Sequence, residues 1–245
     1  GVLGLYALWA LQDRRRLAWI VAGGLLPAGI LVALDMAAYG TPLPVGYWYS
    51  ELWQEEHSIG FMSLTAPGLD RLWGITFSPY RGIFFLSPAL LLLVPGLVAW
   101  WRARAWRAEW LALLGVIVSL LLFNASSAMW WGGYAVGPRY MLPAAPFMAL
   151  PIASWLGRVR GRYALLAGLG VLSVLSVWVQ TITSLKFFPP EAYHFPLVEI
   201  SLPLLRHGQI AANLGHALGL QGLASVAPLL LASLALGGGL WLCAR

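Results

Sequence analysis

Residues 14–36 read RRRLAWIVAGGLLPAGILVALDM: three arginines, eighteen residues without a charge, then Asp35. At about 1.5 Å per residue such a stretch, taken as a helix, nearly covers the hydrocarbon core of a bilayer, which needs about 20 apolar residues. The ends differ in sign, and the same punctuation recurs along the chain. Arg102, Arg104 and Arg107 form a second cluster, and Arg158, Arg160 and Arg162 a third, each at every second gap between apolar runs. Short cytoplasmic loops accumulate Lys and Arg, so the three clusters and Arg245 mark an inner face. The remaining gaps hold Asp35, Glu51, Glu55, Glu56, Asp70, Glu191 and Glu199, together with all 4 histidines, His57, His194, His207 and His216. Chemistry is therefore expected on the side away from the cytoplasm.

Composition agrees with this partition. The chain is 60% hydrophobic and 10% charged, with a mean hydropathy of +0.76, where soluble domains carry roughly a quarter of charged residues. A net charge of +6 would point a soluble protein toward nucleic acid, but the inner-face clusters and Arg245 hold ten of the 15 basic residues. No nucleic-acid partner is expected; the bilayer itself is the expected surrounding. The single Cys243 excludes an intrachain disulfide within the sequence.

Complete crossings are expected over Leu17–Met36, Ile83–Trp101, Trp110–Ser127, Tyr140–Leu156, Tyr163–Thr183 and Leu223–Leu242. The run Gly1–Leu11 is about half a crossing and follows no methionine or signal peptide, so the sequence reads as part of a longer chain. Counting it, the expected fold is an all-α polytopic membrane protein of about seven transmembrane segments, forming one domain over 1–245. Backbone groups in lipid must pair within their own segment, which makes each crossing helical. Pro143, Pro146 and Pro151 all fall in one crossing, which should be kinked and packed inside the bundle. Trp100, Trp101, Trp106 and Trp110 inside, with Trp130 and Trp131 outside, fit aromatic belts.

Two outer segments, 37–82 and 184–222, are too long and apolar for plain loops. In the first, Ser50 can cap a short helix carrying Leu52, Trp53 and Ile59, and a second is expected from Pro67 to about Ile75, both lying in the interface. They either roof the bundle or face substrate. In the second, Lys186, Glu191, His194, Arg206 and His207 are spread among aromatic residues. Pro189-Pro190 opposes helix, while Asn213–Leu220 can turn or form a short one.

Arg81, in Ser78-Pro79-Tyr80-Arg81-Gly82, and Arg139, at the end of Trp130-Trp131-Gly132-Gly133-Tyr134-Ala135-Val136-Gly137-Pro138-Arg139-Tyr140, both stand at expected outer helix starts. A guanidinium there can hold a phosphate, and Trp130, Trp131, Tyr134 and Tyr140 can stack on a sugar or acceptor. Alternatively each arginine snorkels to headgroups or pairs with an acid. Candidates for a general base are Asp35, Glu55, Glu56 and His57. Asp35 can equally mark the interface, and Glu55-Glu56-His57 can be a solvated face. Adjacent helical residues do not share a face, so no metal site is expected from that run. No phosphate-binding glycine loop, serine-nucleophile elbow or HExxH motif occurs.

Tyr39-Gly40-Thr41-Pro42-Leu43, Gly46-Tyr47, Phe77-Ser78-Pro79-Tyr80-Arg81-Gly82, Ser87-Pro88, Trp131-Gly132-Gly133, Gly137-Pro138-Arg139-Tyr140, Asn213-Leu214-Gly215 and Leu218-Gly219-Leu220 occur in this order. Together they resemble the C-terminal half of bacterial phospholipid-carrier-dependent glycosyltransferases of the GT-C superfamily, relatives of protein mannosyltransferases. The resemblance implies inverting transfer of a sugar from a polyprenyl-phosphate donor to an acceptor on the extracytoplasmic side of the bacterial inner membrane. It puts the catalytic acid in a first outer loop upstream of this chain. The base is therefore not carried onto Asp35, Glu55 or Glu56, and this stretch alone is expected to be inactive. No cofactor is called for, a divalent cation being the one candidate. A non-catalytic transporter or assembly subunit for lipid-linked glycans is the alternative, although no internal repeat of the kind common in transporters is seen.

Overall fold

The computed structural model describes residues 1–245 except 12, 44, 50–53, 61–62, 105, 134, 158–161, 185–192 and 244–245. The Ser50 cap with Glu51, Leu52 and Trp53, the arginines 158 and 160, Lys186, the Pro189-Pro190 pair, Glu191, Tyr134 and Arg245 lie outside the described residues.

The described elements are helical, apart from one isolated bridge between Leu64 and Ser127. The chain forms two compact units and passes between them repeatedly. One comprises Gly1–Leu72, Leu92–Trp130 and Tyr140–Arg160; the other comprises Trp73–Leu91, Trp131–Arg139 and Gly161–Arg245.

In the first unit, α1 spans Val2–Ala10 and α2 spans Arg14–Tyr39. Asp13 caps α2, its carboxylate accepting from the Arg15 N–H at 2.9 Å, and Gly40 ends it in the left-handed region at φ 71°. The first is a standard helix start and the second a standard stop. Along α2 the apolar side chains face outward: Trp19 is 78% exposed and Leu26 71%. A helix apolar all round, with no protein covering it, has the character of a segment solvated by lipid.

Helix α3 (Gln54–Ser58) and α4 (Leu69–Thr76) follow, then α5 (Ile83–Leu86), which belongs to the second unit, and α6 (Leu93–Arg102) and α7 (Arg107–Ser126) of the first. The crossing expected over Ile83–Trp101 is in fact broken. Ser87 leaves the helical region at φ −130° and ψ 73°, Pro88 lacks a donor, and a 3-10 turn over Pro88–Leu92 separates α5 from α6. The proline-rich crossing likewise begins as a 3-10 turn over Arg139–Ala144 before α8 (Ala145–Leu156). Its Met148, Pro151, Ile152 and Leu156 are buried, while Pro143, Pro146 and Leu150 are exposed, so only one face of this segment is packed. α6 and α8 approach closely at Gly96, where a Cβ would lie 2.7 Å from the Pro151 carbonyl carbon and oxygen. α7 packs on α1, α6 and α8. Its N-terminal end carries Trp110, whose indole donates to the Leu97 carbonyl at 3.0 Å. Its ring lies 4.8 Å from that of Trp101, over which Arg107 sits at 4.9 Å.

The second unit is built on α9 (Arg162–Ser184), which packs against α5. The Ser173 hydroxyl accepts from the Ala89 N–H at 3.2 Å, taking up one amide freed by the break at Pro88. A π-helical turn (Leu197–Ser201) runs into α10 (Leu202–Arg206), and both pack on α9. α11 (Leu214–Ala217) is capped by Asn213, and α12 spans Ala227–Cys243. The Asn213 amide also donates to the Ser225 hydroxyl at 3.0 Å, joining α11 to the turn that precedes α12.

Among the described residues two helices are long and apolar enough to cross a membrane, Arg15–Tyr39 and Arg107–Ser126; Pro88–Arg102, Gly168–Thr183 and Gly222–Leu236 are apolar but shorter. α8, with 12 residues, extends about 18 Å, well under the roughly 30 Å of a hydrocarbon core.

Candidate functional site

The segment Trp131–Arg139 is a glycine-rich loop pinned from below by one arginine. Gly132 and Gly133 sit at φ 80° and 66°, backbone that a side chain would strain, and they turn the chain on itself. The turn exposes carbonyls toward Arg81. Arg81 is only 1% exposed, and its Nη1 donates to the Trp131 oxygen at 2.7 Å, to the Gly133 oxygen at 3.1 Å and to the Ala135 oxygen. Three carbonyl dipoles converging on a guanidinium stabilise its charge in a buried place.

Arg81 is itself fixed by the turn before α5. Ser78 accepts from the Tyr80 N–H through its hydroxyl at 3.1 Å and from the Gly82 N–H through its carbonyl at 2.7 Å. The Tyr80 ring lies 5.1 Å from the guanidinium carbon, within reach of a cation–π contact. Gly82 has no room for a side chain, since a Cβ would lie 2.6 Å from the Ser78 nitrogen and oxygen.

Arg139 ends the loop. A Cβ on Gly132 would be 3.2 Å from the Arg139 Cγ, and one on Gly133 would be 3.6 Å from its Nη2. The arginine therefore lies along two side-chain-free residues, and it is exposed. Arg81 and Arg139 flank the same turn from opposite settings, one buried and one open. A guanidinium is a planar donor group suited to phosphate or carboxylate.

The other expected site residues are distributed as follows. Trp131 belongs to the loop and is 8% exposed; Trp130 and Tyr140 are half-buried in the first unit, where Tyr140 meets Phe123 edge-on at 6.4 Å. Tyr134 is outside the described residues. Asp35 is half-buried near the end of α2, and its Oδ2 has no hydrogen-bond partner among the described residues. Glu55 is exposed and Glu56 half-buried on α3. His57, also half-buried, has its Nδ1 3.2 Å from the Ser63 hydroxyl. Among the described residues no group of three His, Cys, Asp or Glu side chains comes together as a metal ion would require.

A cavity of about 690 Å3 opens in the second unit, lined among others by Thr183, Tyr193, Glu199, Ile200, Gln209 and Ile210. Sequence reasoning placed these residues in the second outer segment, apart from Thr183 at the end of an expected crossing, without seeing a pocket. The only local signal was Pro196, which precedes the π turn carrying Glu199. Such wide turns are frequent at functional sites.

Neither a family model, nor a curated protein, nor a solved structure matches the chain.

Proposed function

We propose that this chain is the C-terminal part of a bacterial inner-membrane glycosyltransferase of the GT-C type, transferring a sugar from a polyprenyl-phosphate donor to an acceptor on the extracytoplasmic side. The observation that carries it is the exposed Arg139 laid across Gly132 and Gly133, on a loop whose carbonyls are gathered by buried Arg81. The ordered motifs of the sequence and the alternation of arginine clusters support it further.

In this account the two arginines divide the work. Arg81 holds the loop in shape through its three main-chain contacts, while Arg139 meets the donor phosphate. Trp131, 8% exposed, packs within the loop, and the ring proposed for the sugar is that of Tyr134, three residues on in sequence. An acceptor hydroxyl oxygen attacks the anomeric carbon, the bond from that carbon to the phosphate oxygen breaks, and the phosphate leaves with the electron pair. Arg139 is placed to stabilise the charge that grows on that phosphate. The hydroxyl proton goes to a carboxylate which the resemblance puts upstream of this chain.

The seven-segment topology belongs to the same proposal. The lipid-like exposure of α2 favours it, as does the exposed stripe of Leu69, Trp73 and Phe77, which suits a helix lying in the outer interface.

A transfer assay on the full-length parent, using polyprenyl-phosphate mannose and a membrane extract as acceptor source, tests the proposal. Labelled product from wild type and its loss in Arg139→Ala support it. No product from wild type with any of several polyprenyl-phosphate sugars moves the reading to a lipid-glycan transporter or assembly subunit.

A further inference from the structure

The cavity at the end of α9 has a lining that discriminates among ligand classes. Glu199, Tyr193 and Gln209 present a carboxylate, a phenol and an amide whose polar ends make no hydrogen bond or ion pair among the described residues. The rest of the lining is largely apolar, with Ile200, Pro203 and Ile210. Glu199 is the one charged side chain in the described lining, and its carboxylate repels a phosphate or carboxylate ligand. A neutral sugar suits it better. Its hydroxyls donate to the carboxylate and exchange hydrogen bonds with the phenol and amide, while its C–H face packs on the apolar wall. At about 690 Å3 the volume lies within the roughly 300–1,000 Å3 of small-molecule sites.

The cavity and the Trp131–Arg139 loop also share one support. Phe85 of α5 meets Phe195, just before the π turn, edge-on at 5.2 Å. On the next residue, the Leu86 Cδ1 lies where a Cβ on Gly137 would be 3.0 Å away. A single turn of helix thus carries the loop on one residue and the cavity segment on its neighbour, directly after Arg81.

We infer that this cavity is the acceptor subsite, taking a neutral glycosyl group through Glu199, Tyr193 and Gln209. The acceptor role rests on the transferase reading; the sugar-binding role does not.

The test uses the full-length parent in lipid nanodiscs, with methyl α-mannopyranoside as neutral probe and sodium glucuronate as anionic probe, read by saturation-transfer NMR. Saturable mannoside binding is expected, with little from glucuronate. Glu199→Gln, which keeps shape and removes charge, weakens mannoside binding about tenfold. Gln209→Trp, at an exposed lip position, fills the space and abolishes it, and both variants keep the wild-type melting temperature. Absence of saturable mannoside binding in wild type, unchanged binding in Gln209→Trp, or glucuronate binding as well as mannoside overturns the inference. Donor-lipid binding is measured separately and reports on Arg139, so either site can fail without the other.

Discussion

The Arg81 Nη1 donates to the Trp131 carbonyl at 2.7 Å, joining residues 50 apart in the chain. That bond and its companions to Gly133 and Ala135 turn a flexible glycine stretch into a shaped loop. Arg81 is the positioning residue of the proposal, and the exposed Arg139 is the residue proposed to meet ligand.

Replacing Arg81 with Ala leaves the Trp131, Gly133 and Ala135 carbonyls without their donor. The expected cost is about 3 kcal/mol, seen as a lowered melting temperature of the detergent-purified protein. Arg81→Lys keeps the charge on a single nitrogen but loses the planar fork, so it recovers part of the stability at most. A melting temperature unchanged in Arg81→Ala would remove the pinning role.

Gly96 and Gly23 give a paired test of packing. Gly96→Ala forces a methyl into the Pro151 carbonyl and is expected to cost about 2 kcal/mol as α6 and α8 separate. Gly23→Ala meets nothing within 4 Å on α2 and is expected to be neutral or slightly stabilising, because alanine favours helix. Equal melting temperatures for the two variants would contradict the close approach of α6 and α8.

Asn213 makes three side-chain hydrogen bonds: it accepts from the His216 N–H at 3.3 Å and donates to Ala211 at 3.1 Å and Ser225 at 3.0 Å. Asn213→Ala should cost about 1–2 kcal/mol, in the upper part of the range for a lost cap. Asn213→Asp keeps the acceptor and loses both donors, so thermal unfolding should place it between wild type and Ala.

How much of this was legible in the sequence depends on the range of the forces involved. α2, α7 and α9 were readable to within three residues at each end, because their unbroken apolarity and flanking arginines are local signals. The break at Ser87-Pro88 was visible as a dipeptide. Its consequence, a 3-10 turn whose first amide is taken up by Ser173, depends on a partner 84 residues away. The two arginines looked alike in sequence, each beside glycine and proline. Only the folded loop separates them, burying Arg81 under three carbonyls and leaving Arg139 open. The cavity was invisible because its polar groups come from α9, the π turn and the stretch after α10, with no common motif.

Orientation can be read with single cysteines placed in a Cys243→Ser background. Leu43→Cys, at a position 59% exposed, should react with an impermeant maleimide added outside right-side-out membranes, and Arg102→Cys only after the membrane is opened. Reaction of both from one side would contradict the proposed topology.

The most direct test of the central claim is the affinity of the full-length parent, in nanodiscs, for polyprenyl-phosphate mannose, compared between wild type and Arg139→Ala. Saturable binding that weakens about tenfold or more in the variant is predicted, as expected for losing a charge-assisted contact to phosphate. Equal affinity in both proteins, or wild-type binding no tighter than to phosphatidylglycerol, would contradict it.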